Sequence, residues 1–235
     1  MKKLLFLILI VAFQSQAQTK TFDNLLKKYV SEDGFVNYAA MKKDKAKLDN
    51  FITYLSITKP LSSWSNNKNK AFWMNAYNAY TLKLIVENYP VKSITKINKK
   101  GKTAWKIPFA VVGGETYTLD HIEHEILRKT LFDPRIHVGI NCASGSCPKL
   151  ANFAFTETNV NNELERLMNV FINDTTRNQL SFKKVQISSI FNWFQQDFTK
   201  EGSVVDYVNK YAETPVNPKA KISYLTYDWG LNEKK

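Results

Sequence analysis

Spacing of apolar positions divides the first half of the chain into helices. In "TFDNLLKKYV", Phe22, Leu25, Leu26 and Tyr29 share one helical face, and over 44–57 Leu48, Phe51, Ile52 and Leu55 repeat the pattern. The segment "KAFWMNAYNAYTLKLIVENYP" is apolar nearly all round, which predicts a central helix closed by Pro90. Residues 105–117 alternate around Gly113-Gly114 and read as a hairpin. "TLDHIEHEILRKTLF" predicts a helix capped by Thr118 or Asp120, with Asp120 and Glu123 at capping-box spacing. "RIHVGI" alternates like a strand, with Ile136, Val138 and Ile140 on one side and His137, Gly139 and Asn141 on the other. Helices over 158–172, 189–198 and 203–211, a strand pair near 179–187 and a last strand "ISYLTYDWGLN" complete the pattern. Helices dominate, and strands are few and clustered late. The expected class is α+β: a mostly helical single domain with a small, mostly antiparallel sheet.

The beginning of the chain changes this picture. Lys2 and Lys3 precede an apolar run over 4–13, and Ser15-Gln16-Ala17 follows with small residues at the two positions a signal peptidase reads. A signal peptide over 1–17 is expected, leaving one globular domain over 18–235. The apolar run is shorter than the roughly 20 residues that span a bilayer, so no stable membrane anchor is expected after cleavage. The formal net charge of +12 is spread over many lysines, among them "KKDKAK" and Lys92, Lys96, Lys99, Lys100, Lys102 and Lys106. No recognition motif accompanies that charge and export removes the protein from nucleic acid, so nucleic acid is excluded as a partner. The charge favours solubility and a general attraction to anionic envelope polymers.

Both cysteines lie in "IHVGINCASGSCP", with four residues between them. An exported chain invites a disulfide reading. Closing so short a loop, however, stabilises by less than the usual ~2–4 kcal/mol. Cys142 falls just past the expected strand, on a loop of small residues whose N–H groups can converge on an oxyanion. Ser146 could cap a turn beginning at Cys147-Pro148, which would lower a thiol pKa. On a wheel of about 100° per residue, Glu123 falls inside the apolar sector of Leu119, Ile122, Ile126 and Thr130. His121, Glu125 and Arg128 fall opposite, with His124 at the boundary. A carboxylate there needs a cation or several donors. Arg135 and His137 are the nearest candidates in sequence, and reciprocal capping of its own helix is the alternative. The spacing His137-x4-Cys142-x4-Cys147, with His124 or Glu123 as a fourth group, leaves a zinc reading open without matching the short zinc knuckles, so no metal and no cofactor are expected. In "FWMNAYNAY", Asn75 and Asn78 share a helical face beside Trp73 and Tyr77, where they either cap buried backbone or serve a site.

Taken together, "AFWMNAYNAY", "GGETYTLDHIEHEIL", "DPRIHVGINCASGSCP" and "YLTYDWGLN" resemble, in order, the motifs of the DUF547 family, from about residue 65 to 235. The resemblance implies a compact domain found in exported bacterial proteins and within larger plant proteins, and it carries no reaction. Its motif positions here are Trp73, Asn75, Tyr77, Asn78, Glu123, His124, Arg135, His137, Cys142 and Cys147. Plant members resemble this chain at the first cysteine and often differ at the second, which favours Cys142 as the essential thiol. Where family members carry a large apolar residue, this chain has Gly139, implying extra room beside His137.

Two functions are expected on these grounds. One is a thiol acyl-transfer enzyme, in a permuted papain-like or transglutaminase-like arrangement, hydrolysing amide or ester bonds of an envelope peptide or glycan polymer. Cys142 would be its nucleophile, His137 its base, Glu123 the group fixing the imidazole, and Asn75 with the loop N–H groups the oxyanion site. Cys147 and His124 complete the catalytic candidates; Trp73, Tyr77, Asn78 and Arg135 are the substrate-binding ones. The other is a non-enzymatic exported module that binds glycan or peptide, with a Cys142–Cys147 bridge bracing the loop.

Overall fold

The computed structural model describes residues 2–234, with side chains from residue 16 onward. Most of the expected leader therefore lies outside the described side chains; its backbone from Lys2 runs in α1 (Lys2–Tyr29). No helix of the described residues is long and apolar enough to cross a membrane.

The helical half follows the apolar spacing. Phe22, Leu25, Leu26 and Tyr29 of α1 are buried, as are Leu48, Phe51 and Leu55 of α3 (Ala46–Ile57), and Phe22 stacks on Phe51 at 4.3 Å between ring centroids. A short α2 (Tyr38–Lys43) joins them, its first turn capped by the Asn37 side chain. The helix predicted at the centre is α4 (Asn66–Asn88), which starts where Ser65 accepts the Lys68 N–H. Every residue from Lys70 to Leu82 is buried. A helix enclosed on all sides has no wet face, so its polar side chains must find partners inside the protein.

The strands are short. Asn98–Lys99 (β1) pairs with Lys102–Thr103 (β2), and Ala110–Val112 (β3) with Glu115–Tyr117 (β4), the hairpin predicted at Gly113-Gly114. Gln179–Leu180 (β5) pairs antiparallel with Val185–Ile187 (β6), which takes Ile222–Tyr224 (β7) on its other side in parallel. Antiparallel pairs thus prevail, although four of these strands precede residue 118 instead of clustering late. The last strand is much shorter than its pattern predicts. After Tyr224 the chain leaves the sheet to bridge Leu231 to Ser144 and Glu233 to Val36.

Two local predictions are corrected. Ile136–Gly139 is not a strand but a helical turn, α6, closed by Ile140 N–H on the Ile136 carbonyl at 3.0 Å. Asp133 accepts the Arg135 N–H at 3.0 Å, and Pro134 between them has the φ that a helical start needs. Residues 136–139 are all buried, so alternation carried no information about a wet and a dry side. The predicted helix after Thr118 does start there, Thr118 accepting the His121 N–H, with three α-helical residues (α5, Leu119–His121). It then continues as a π-helix over Ile122–Thr130, as in the Leu131 N–H bond to the Ile126 carbonyl at 2.9 Å. Of the remaining helices, α7 (Val160–Asn173) and α10 (Val204–Asn209) lie where predicted, whereas the single helix predicted over 189–198 is divided at Phe194 into α8 (Ile190–Trp193) and α9 (Gln195–Phe198). One hydrophobic cluster runs from Phe22 to Val216 through these elements.

Candidate active site

The cysteine loop is fastened from three directions. Asn78 of α4 donates its amide to the Gly139 carbonyl at 2.8 Å and accepts the Asn141 N–H at 2.9 Å, tying the end of α6 to the central helix. Asn141 accepts the Ala143 N–H at 2.8 Å and donates to the Pro148 carbonyl, spanning the loop from within. From the far end of the chain, the Gly230 carbonyl accepts the Gly145 N–H at 2.6 Å and the Asp228 carbonyl the Ser146 N–H at 3.1 Å. These bonds hold Ala143, the residue after the first cysteine, at φ +59°. A left-handed alanine costs about 1–3 kcal/mol, and such strain gathers at functional sites.

The two thiols touch. Cys142 Sγ lies 3.2 Å from Cys147 Sγ, 3.0 Å from Ser144 Oγ and 3.3 Å from the Tyr227 hydroxyl. Both cysteines are free; Cys142 is half-buried and Cys147 buried. The hydrogen bond from Cys147, then those of Ser144 and Tyr227, hold the Cys142 thiol down at about 7 against its burial. Burial, and then the neighbouring Cys142 charge, push Cys147 the other way. Desolvation likewise raises the Tyr227 hydroxyl, which stays a protonated donor.

His137, on α6, directs Nε2 at Asp197 Oδ2, 2.8 Å away on α9, and its ring lies 4.2 Å from that of Phe194. A carboxylate only accepts, so Nε2 carries the proton in this hydrogen bond. The same carboxylate receives Arg128 of the π-helix at 2.6 and 3.1 Å. Burial works to raise Asp197, but the His137 and Arg128 hydrogen bonds outweigh it and hold the carboxyl at about 2. Arg128 also donates to His124 Nδ1 at 2.8 Å, which leaves His124 Nε2 to face Asp120 at 3.4 Å.

One cavity of about 270 Å³ has Tyr77, Glu123, His124, His137, Cys142 and Cys147 in its lining. Trp105, Trp193, Phe194, Tyr227 and Trp229 form much of the remaining wall. Tyr227 sits 4.6 Å from Trp229 and 4.7 Å from Trp193, ring to ring.

A match to known proteins covers the middle of this arrangement: residues 61–172 fit the family described as "Protein of unknown function, DUF547". That segment belongs to the DUF547 family. No curated protein and no solved structure matches the chain. The DUF547 segment contains α4, the π-helix, α6 and both cysteines. Asp197 and the walls made by Trp193, Phe194, Tyr227 and Trp229 come from beyond it, although "YLTYDWGLN" was among the motifs that carried the resemblance.

Of the ten candidate residues, six line the cavity and four do not. Asn75 is occupied at the opposite side of α4, donating to the Phe155 carbonyl at 2.7 Å and accepting its N–H at 2.9 Å, so it offers nothing to an oxyanion. Asn78 clamps the cysteine loop to α4. Trp73 is core, edge-on to Tyr117 at 5.3 Å. Arg135 pairs with Asp133 at 2.9 Å and with Glu165 at 2.9 Å, away from the cavity. Glu123 is buried as predicted, but its partner is the Tyr77 hydroxyl at 3.0 Å, neither an imidazole nor a guanidinium. The loop N–H groups do not form an open oxyanion site: five of the six from Cys142 to Cys147 already bond within the protein. No helix starts at Cys147, and Ser146 Oγ accepts the Asp228 N–H instead. A β-carbon at Gly139 would lie 2.3 Å from Met74 Cε, so Met74 occupies the expected extra room. Among the described residues, no three of His, Cys, Asp and Glu converge as a bound metal would require.

Sequence reasoning missed Asp197, Ser144 and Tyr227. The one available signal for Asp197 was an acid inside the aromatic run "FNWFQQDF"; for the other two there was only their place within the DUF547-like motifs.

Proposed function

We propose that this protein is an exported, cysteine-dependent acyl-transfer enzyme that hydrolyses amide or ester bonds, with an envelope peptide or glycan polymer as its substrate class. Cys142 is the nucleophile, His137 the base and later the acid, and Asp197 takes the orienting role expected of Glu123. The observation that carries this reading is the shared cavity: an acidified, half-buried thiol and an imidazole fixed by a buried carboxylate face the same space. The thiolate attacks the carbonyl carbon and the oxyanion takes a hydrogen bond from the Tyr227 hydroxyl on the cavity wall. Collapse expels the amine or alcohol, which takes its proton from His137, and water then cleaves the thioester. The order His137, Cys142, Asp197 is permuted relative to papain, which geometry tolerates. The lysine-led apolar leader supports export.

The test is alkylation and acylation of the purified mature protein, read by mass spectrometry. Iodoacetamide labels Cys142 rapidly at pH 7, activated aryl esters leave an acyl group there, and His137→Ala slows acylation by about 10²–10⁴-fold. Labelling no faster than a free cysteine peptide, with no acyl adduct, overturns the reading.

A second reading draws on the aromatic wall. Trp105, Trp193, Tyr227 and Trp229 together suit a platform for a sugar ring or an aromatic peptide side chain, as in a binding module. Quenching of tryptophan fluorescence by envelope glycan fragments, unchanged in Cys142→Ser and without turnover in the wild type, would favour it.

A further inference from the structure

We infer a second chemistry at the same loop: Cys142 and Cys147 act as an attacking and a resolving thiol, exchanging with small-molecule disulfides and closing reversibly into an intramolecular bridge. This goes beyond acyl transfer and does not depend on it, because acylation of Cys142 has no need of a second sulfur.

Three observations carry it. The first is contact: the sulfurs are 3.2 Å apart, and the Cys142 N–H also points at Cys147 Sγ at 3.2 Å, so the second thiol is fixed in front of the first. The second is asymmetry of access. Both cysteines line the cavity, but Cys142 is half-buried whereas Cys147 is only 6% exposed, so an incoming disulfide meets Cys142 first. The third is the hydrogen-bonding shell. Ser144 and Tyr227 both approach Cys142, and Ser144 donates to the Tyr227 hydroxyl at 2.9 Å, leaving the Tyr227 proton to stabilise a thiolate both as attacker and, on the return path, as leaving group. The depressed Cys142 pKa agrees with that division of labour.

The steps balance. Cys142 thiolate attacks one sulfur of a disulfide R–S–S–R; that S–S bond breaks and R–S⁻ leaves, taking a proton from water. Cys147 gives its proton to solvent, and its thiolate attacks Cys142 Sγ in the mixed disulfide. The Cys142–Cys147 bond forms and the second R–S⁻ departs. The chain loses two electrons and two protons, and the small disulfide becomes two thiols. An external dithiol reverses the sequence, regenerating both cysteines. A bridge serving only to brace the loop would do neither at useful speed under native conditions. While closed, it removes the Cys142 nucleophile.

The experiment uses the fully reduced mature protein mixed with oxidised glutathione, acid-quenched at intervals, alkylated and weighed intact. In the wild type both thiols disappear together with no lasting glutathione adduct, and dithiothreitol restores both without denaturant. Cys147→Ser accumulates one glutathione on Cys142, while Cys142→Ser takes up glutathione at least about tenfold more slowly. A stable wild-type adduct with Cys147 still alkylatable overturns the inference, as does a bridge that dithiothreitol opens only in denaturant. The adduct lifetime in the wild type decides the matter even if a variant fails to fold. Acyl transfer is scored separately with the aryl ester, so either chemistry can fail while the other stands.

Discussion

Asp197 carries more of this site than any residue the sequence singled out. One carboxylate accepts from both His137 and Arg128, so it fixes the imidazole and anchors the π-helix at once. Replacing it with asparagine removes the charge that both donors face, at a cost of about 1–3 kcal/mol in urea unfolding at pH 7. The pH dependence has a definite sign. A carboxyl held near 2 in the folded protein and near its ordinary value of about 4 when unfolded contributes stability that is complete above pH 4 and lost as pH falls through 2. Unfolding followed from pH 5 to 2 therefore shows a fall in the wild type that is shallower in Asp197→Asn. Cys142 gives a second profile: its alkylation rate rises with a midpoint at about pH 7. Tyr227→Phe removes a donor to the thiolate and Ser144→Ala removes the hydroxyl that donates to Tyr227, so in each the midpoint moves up, toward the ordinary thiol value of about 8.5.

At the scale of elements, the stretches with a single wet face were legible, because α1, α3 and α7 announce their buried sides in a 3.6-residue repeat. The cysteine loop and the all-apolar α4 were legible too, by composition. What escaped were the elements that break the period. An i→i+5 bonding pattern underwinds the helix. The 100° wheel places Ile122, Glu123 and Leu127 correctly on the buried side, but it leaves Thr130 there although it is exposed, and Arg128, drawn on the wet side, reaches the buried Asp197. The turn around His137 is enclosed on all sides, and its alternation of Ile136, Val138 and Ile140 imitates a strand. The hairpin shows the opposite case, where two glycines marked the turn correctly and for different reasons. Both have positive φ, but a β-carbon at Gly113 would come within 2.7 Å of Lys59 Cα, whereas Gly114 faces open space. Gly113→Ala is expected to lower the thermal midpoint clearly more than Gly114→Ala, the difference being about 1–3 kcal/mol of backbone strain and displacement.

Across the whole molecule, the cavity lies at the junction of the DUF547 segment with the C-terminal part of the chain. The segment brings the thiols, His137, Glu123 and Tyr77; the later chain brings most of the aromatic wall, and Asp197, which holds His137 from outside the lining. No local pattern could pair His137 with a carboxylate 60 residues away. The buried Asn232 marks how far the assembly reaches: its amide donates to the Gly34 carbonyl at 3.2 Å and to the Asn141 side-chain oxygen at 3.4 Å, and its own oxygen accepts the Tyr38 hydroxyl at 2.7 Å. Removing residues 226–235 takes away Tyr227, Trp229 and this knot together. Such a variant is expected to alkylate at both cysteines, with an ordinary thiol midpoint near pH 8.5 and faster proteolysis of the 141–148 loop.

Tyr227 is 85 residues downstream of the cysteine it steadies. A ribosome adding about 5–20 residues each second therefore releases Cys142 several seconds before Tyr227, one of the groups that hold its thiol down, exists. During that interval the thiol has no Tyr227 donor and no aromatic wall, and it retains the sluggishness of a cysteine in an unfolded chain. Synthesis order thus leaves the sulfur without part of its hydrogen-bonding shell until the tail closes over it.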